Sequence, residues 1–378
     1  MARIDKWLQE LLNKEGSDLH LRAGLKPMVR VHGVLSVLEN EPQLTQETLG
    51  AILSEASGER RWEQFRDQWD LDFAYSLGER ARFRVNYLEQ INGHGAVLRL
   101  IPYNVLSLKD LGAPETLWTL PQYRAGLVLV VGPGGSGKTT TLAAIIDEIN
   151  RTQQRHVVTI EDPIEFVHRS ERSLISQREV GDHTPSFAQA LGDALREDPD
   201  VVLVGEMRDL ETIALAITLA ETGVLVFATL HTNSAARTVD RLVDVFPAKQ
   251  QQQVRTMLSE SLTCIVAQQL LRRTDRPGRI AAFEVLFGSE ALASVIRDGK
   301  TEKINDLILQ GRNRGMIDMD SALESLLNEG MITGEEAYMK SLDKYRFADH
   351  FEEESDQTLA IQRMREMEES AAMESLME

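Results

Sequence analysis

Phosphate chemistry is the first thing these residues offer. VGPGGSGKTT at 131–140 sets Gly132, Gly137, Lys138 and Thr139 in the spacing G-x-x-x-x-G-K-[ST]. Glycines at Gly132, Gly134, Gly135 and Gly137, with Pro133 and Ser136 among them, let a backbone fold tightly enough to aim successive N–H groups at a phosphate. A helix start directly behind them adds partial positive charge. Lys138 would place a point charge on the β- and γ-phosphate oxygens, and the Thr139 hydroxyl would ligate magnesium, with Thr140 beside it. The pattern follows an apolar strand-like run and precedes a helical one, the context that separates a phosphate loop from a chance match.

Three further apolar runs end in polar groups. PDVVLVGEMRD at 199–209 has Gly205 where a nucleotide hydrolase's strand normally ends in a magnesium-holding aspartate, and its carboxylate comes one step later at Glu206. HVVTI is followed by Glu161, Asp162 and Glu165, and VLVFATL by His231. Open α/β sheets bind ligands at the carboxyl ends of their strands, so these endings belong with the phosphate loop. Glu161, Asp162 and Glu165 are the available substitutes at the metal, partly through water. Glu206 is then free to orient and deprotonate an attacking water, because phosphoryl transfer needs in-line placement and charge neutralisation. His231 is open between two roles: opening a helix before Thr232, Asn233 and Ser234, or sensing the γ-phosphate.

The elements that must position these groups fall into two grammars. Residues 1–101 read as a small α+β domain: a helix at IDKWLQELLNK, strands at SDLHLRA and MVRVHGVLSVL around a turn at His32–Gly33, and helices near 45–57 and 59–68. LDFAYSL, ARFRVNYLEQ and GAVLRLI then complete an antiparallel meander. Residues 102–122, with Pro102, Pro114 and Pro121, read as a linker holding one short helix. From 123 to 345 the chain alternates buried strands (GLVLVV, HVVTI, VVLV, VLVFATL) with helices, the order of an open, largely parallel α/β sheet. From about 249 it reads as mostly helical with one strand at GRIAAFEVLF, and two short helices flank Gly330. Cys264 falls in a helical run, VRTMLSESLTCIVAQQLL, as a buried small side chain. Residues 346–378 read as an acidic, flexible tail; its last 28 residues, 351–378, carry nine acidic and two basic side chains.

Composition narrows the function classes. The net charge of −18, from 41 basic and 59 acidic residues, disfavours a nucleic-acid partner, which would require a basic surface. A single cysteine excludes a disulfide framework and a multi-cysteine zinc module. The N-terminus carries charges inside its first apolar stretch, unlike a secretory signal, and 213–231, the most apolar stretch, contains Glu221. A soluble cytoplasmic protein is expected.

GPGGSGKTT, TIEDPIEFVH, REDPDVVLVGEMRD and ATLHTNSAARTVDRLVDVFP resemble the phosphate loop, Asp box, Walker B and His box of the secretion/pilus ATPase superfamily. The similarity is greatest to the PilT-like ATPases of type IV pili and runs from SDLHLRAG to about residue 340. The resemblance implies a RecA-like P-loop ATPase core, a PAS-like N-terminal α+β domain and a helical C-terminal region. It also implies a homohexameric ring that hydrolyses ATP with Mg2+ and drives pilus retraction by domain movements. Such a ring would work at the cytoplasmic face of the inner membrane. It would meet the membrane only through protein partners: a pilus platform protein, with room for a paralogous retraction ATPase. The family sets arginines of its N-terminal domain against the phosphates, and the matching positions are Arg82, Arg84 and Arg99. QREV at 177–180 also matches a family segment, without an evident chemistry.

Two departures stand out. Gly134 replaces the family's usual threonine, and ALASVIRDGK at 291–300 carries Ala293 and Ser294 where retraction members have Arg and Asn. The alternatives are therefore an accessory PilU-like retraction ATPase, the ATPase of a related type II secretion machine, or a low-turnover, nucleotide-gated scaffold subunit. A DNA-pumping ring fits the acidic composition poorly.

Overall fold

A computed structural model describes residues 2–350 apart from 32, 79 and 102–104. His32 of the expected turn, Pro102 of the expected linker and residues 351–378 of the acidic tail lie outside the described residues. The chain groups into two compact units. One holds the chain up to Val105 together with Ile160–Arg169 and Gln177–Ser186; the other holds Leu106–Thr159, Ser170–Ser176 and the chain from Phe187 onward.

In the first unit, helix α1 (Asp5–Asn13) precedes strands β1 (Gly16–Arg22), β2 (Met28–Val31) and β3 (Val34–Val37). Helices α2 (Gln46–Ser57) and α3 (Glu59–Gln68) follow, then β4 (Asp70–Leu77), β5 (Ala81–Gln90) and β6 (Gly93–Ile101). The six strands form one sheet in the order β3-β2-β1-β6-β5-β4, antiparallel at every pairing. The period of two decides its faces. Phe83, Val85 and Tyr87 of β5 are buried, with Tyr87 edge-on to Phe65 and Phe73, while Arg82 and Arg84 project from the other face. Trp7, Leu8 and Leu11 bury one stripe of α1. The later segment 177–186 is tied to α3, where Arg60 donates to the Gly181 carbonyl at 2.7 Å and Arg61 pairs with Asp182.

The second unit is built on strands β7 (Gly126–Val131), β8 (His156–Glu161), β9 (Leu174–Glu179), β10 (Val201–Val204), β11 (Leu225–Leu230), β12 (Leu262–Arg272) and β13 (Arg279–Phe287). Its helices are α4 (Lys138–Thr152), α5 (Phe187–Ala194), α6 (Leu210–Glu221), α7 (Ala235–Asp244) and α8 (Ala248–Ser261). After β13 come α9 (Glu290–Asp298), α10 (Ile304–Gln310), α11 (Met319–Asn328) and α12 (Gly334–Lys340). The sheet order is β13-β12-β7-β11-β10-β8-β9; β12, β7, β11 and β10 are parallel, and β13 closes the edge antiparallel to β12. Every residue of β7, β10 and β11 is buried, as continuous apolar runs require when helices cover both faces. The expected α/β class holds, with a phosphate-loop core, a smaller α+β unit and helices gathered after the last strand.

One expectation is corrected. Cys264 lies on a strand, because α8 stops at Ser261 and LTCIVAQQLLR pairs with both β7 and β13. A short apolar run carries no period that separates a buried strand from a buried helix, and here sheet pairing decides it. The thiol is nonetheless fully buried, and burial pushes it well above the ordinary cysteine range. β9, a strand that the sequence did not announce, contains Gln177, Arg178 and Glu179 and forms the sheet's edge.

Candidate active site

The phosphate loop joins β7 to α4. Gly137, at the N-cap of α4, has φ +90°, a left-handed conformation that L side chains rarely adopt. A Cβ there would stand 2.8 Å from Nε2 of Gln268, and one at Gly132 would stand 2.3 Å from the Gln268 carbonyl. Gln268 belongs to β12 and is buried; its Oε1 accepts the Thr141 hydroxyl at 2.8 Å, which braces the first turn of α4. Lys138 donates to the carbonyls of Gly132 (2.8 Å) and Pro133 (3.0 Å), so its charge lies inside the loop. The Ser136 hydroxyl is buried without a hydrogen-bond partner among the described residues. An orphaned donor beside a looped lysine at a helix start is suited to receive an oxyanion.

β7, β11 and β10 are successive parallel neighbours, paired Leu230 with Val131 and Ala228 with Val204. Their carboxyl ends therefore share one sheet edge, and Glu206 stands about two strand spacings, roughly 10 Å, from the loop strand. Glu206 and His231, expected to share a site, are brought together: His231 Nε2 lies 3.1 Å from Glu206 Oε1. Arg208 Nη2 holds the other oxygen at 2.7 Å. Burial pushes the Glu206 carboxyl up, but the hydrogen bonds and charges of Arg208 and His231 outweigh it and hold it below the usual glutamate range. The segment carrying Glu206 is fastened to β11 at Thr229. The Thr229 hydroxyl donates to the Gly205 carbonyl (2.5 Å), and the Thr229 carbonyl accepts the Met207 N–H (3.0 Å). Gly205 thus serves as a backbone anchor. Ser234, not His231, caps α7, and Asp209 caps α6.

In the first unit the acidic run lies among arginines. Glu161 is buried and accepts from Gln177 Nε2 at 3.2 Å; Asp162 is exposed; Glu165 is half-buried, 3.7 Å from Arg84. Arg84 and Arg99 face each other across the β5–β6 pair, with Arg82 two residues along β5. Like charges directly opposite destabilise a sheet, and carboxylates offset them here. Asp18 accepts from Arg99 at 2.8 Å, Asp72 from Arg84 at 3.4 Å and Glu179 from Arg82 at 2.5 Å. Among the described residues no three His, Cys, Asp or Glu side chains form a set able to hold a metal by themselves. Mg2+ is bound by few protein oxygens together with substrate phosphates, and the Thr139 hydroxyl in the first turn of α4 is a protein oxygen of the kind it takes.

A family model described as "Type II/IV secretion system protein" matches residues 1–354. The chain belongs to this family. It is 50% identical over 311 residues to a twitching motility protein of Neisseria gonorrhoeae, covering 82% of this chain and 83% of that one. It is 48% identical over 329 residues to the type IV pilus retractation ATPase PilT of Pseudomonas aeruginosa, covering 87% and 95%. The crystal structure of the pilus retraction motor PilT with bound ADP superposes with a TM-score of 0.84 at 41% identity, covering 92% of this chain and 99% of that one. For this family member, sequence reasoning passed over Gln268, Thr229, Glu179 and Glu284. All four are buried polar residues on strands; a lone polar residue within an apolar strand is the signal that would have marked Thr229 and Glu284, whereas Gln268 is followed by Gln269 and Glu179 lies in a polar strand.

Proposed function

We propose that this chain is an ATP-hydrolysing motor that powers type IV pilus retraction. The observation that carries the catalytic part is the Glu206–His231 pair at the ends of the parallel strands β10 and β11, of which β11 pairs with β7, the strand that feeds the phosphate loop. Gly132 to Gly137 wrap the β-phosphate with backbone N–H groups, Lys138 turns from the loop carbonyls to the phosphate oxygens, and Ser136 gains the acceptor it lacks. Magnesium, bound with the nucleotide through Thr139 and, partly by way of water, Glu161, Asp162 and Glu165, would neutralise charge on the phosphate oxygens. Glu206 takes a proton from water; the water oxygen bonds to the γ-phosphorus, and the bond to the bridging oxygen breaks, leaving ADP with that electron pair. His231 holds the Glu206 carboxylate in place and senses the γ-phosphate. Arg82, Arg84 and Arg99 exchange their present carboxylate partners for phosphate charge during turnover.

The motor works as a ring of six at the cytoplasmic face of the inner membrane, engaging a pilus platform protein. Its working domains are 1–101 and 123–345, with 102–122 as the connection and 346–378 as an acidic tail. Support for this reading comes from the family membership and from the motor named in the superposed structure. Deleting the gene should abolish pilus retraction. Retraction that persists until a paralogue is also deleted would indicate the accessory role, and retraction that survives both deletions contradicts the reading.

A further inference from the structure

QREV, which carried no chemistry in the sequence, has a definite place in the structure. We infer that Glu179 is a positioning residue for the acidic loop 161–165, fixing the loop backbone at Ile164 and tying it to Arg82 of β5. The inference rests on the reading that this loop serves the magnesium–nucleotide complex. Glu179 is buried, and its Oε2 accepts two bonds at once: the Ile164 N–H at 3.0 Å and Arg82 Nη2 at 2.5 Å. A carboxylate is costly to bury unless it is paired and hydrogen-bonded, and this one is both. Gln177, two residues earlier on the same strand face, grips the same loop. Its Nε2 donates to Glu161 Oε1 (3.2 Å) and the Phe166 carbonyl (2.9 Å), and its Oε1 accepts the His168 N–H (2.8 Å). The Val180 N–H donates to the Glu161 carbonyl at 2.9 Å. These grips on Glu161, Phe166 and His168 come from neighbours close in sequence. The Glu179 contact carries the loop to a residue 97 positions away, the second residue of β5, and the 3.7 Å approach of Arg84 to Glu165 makes another tie to that strand. A shift of β5 therefore reaches the loop backbone at Ile164 through the Glu179 carboxylate, and the loop's end at Glu165 through Arg84.

The test uses the full-length protein with E179Q, E179A and E161Q. E179Q keeps an acceptor for Ile164 and loses the ion pair; E179A loses both. Amide hydrogen exchange across 162–166 without nucleotide should quicken in E179A, and less in E179Q. The Mg2+ concentration giving half-maximal ATP hydrolysis should rise about tenfold or more in E179A, the usual effect of removing a partner that orients metal-binding groups. Affinity for a fluorescent nucleotide measured without Mg2+ should stay unchanged. Unaltered exchange at Ile164 overturns the proposal. So does quickened exchange with an unmoved Mg2+ titration in E179A while E161Q shifts it, and there the acid assignment survives. If E161Q also leaves the titration unmoved, the acid assignment falls and takes the proposal with it.

Discussion

At the scale of single residues, the phosphate loop shows which glycines are obligatory. Gly137 is held at φ +90° against Gln268, whereas a Cβ on Gly134 meets nothing within 4 Å. G137A should therefore weaken nucleotide binding about tenfold or more, since a left-handed L residue costs roughly 1–2 kcal/mol. G134T, which restores the family's usual side chain, should stay within about twofold of wild type. Equilibrium titration with a fluorescent nucleotide measures both; equal losses in the two variants would contradict this account of the loop. Lys138 and Glu206 were legible because a motif and a strand ending mark them. Thr229 and Gln268 were not, because their work is done on a neighbouring strand, and one sequence does not say which strands are neighbours.

At the scale of elements, β13 carries a carboxylate that seats two helices. Glu284 is almost fully buried; its Oε1 accepts the Ala235 N–H at the start of α7 (2.7 Å), and it also accepts the Met319 N–H at the start of α11. Each helix start offers unsatisfied donors and partial positive charge. Burial nevertheless pushes this carboxyl up to about 7 from an ordinary 4.5, with Asp318 and Asp320 adding to the rise. Between those values the folded protein keeps a proton that the unfolded chain has released, so this group makes stability fall as pH rises through the window. The loss is at most on the order of 3 kcal/mol. E284Q should lack that slope while carrying a constant offset from its misplaced amide. Thermal melts of both proteins across the window measure the difference, and parallel curves would contradict it. The strands that escaped notice share one cause. β12 is apolar on both faces, so no period separated it from a helix, and β9 is a half-buried, polar edge strand, so no apolar run announced it.

At the scale of the whole molecule, the chain puts residues 160–169 and 177–186 with its N-terminal unit, although they begin with the last residues of β8 and β9. A boundary drawn from composition could not have found that, because the ties are side-chain bonds from Arg60, Arg61 and Arg82. The two grammars of the sequence did mark the antiparallel and parallel sheets, since each follows from the period and polarity of its own strands. If these parts make an engine, the full-length assembly turns ATP over, and the decisive measurement is its steady-state phosphate release with E206Q run beside wild type. Magnesium-dependent release is predicted from wild type in a particle of about six times the 42.4 kDa chain mass. E206Q should release phosphate at least about 100-fold more slowly at unchanged nucleotide affinity. Release at background from wild type, or at the wild-type rate from E206Q, would contradict the account.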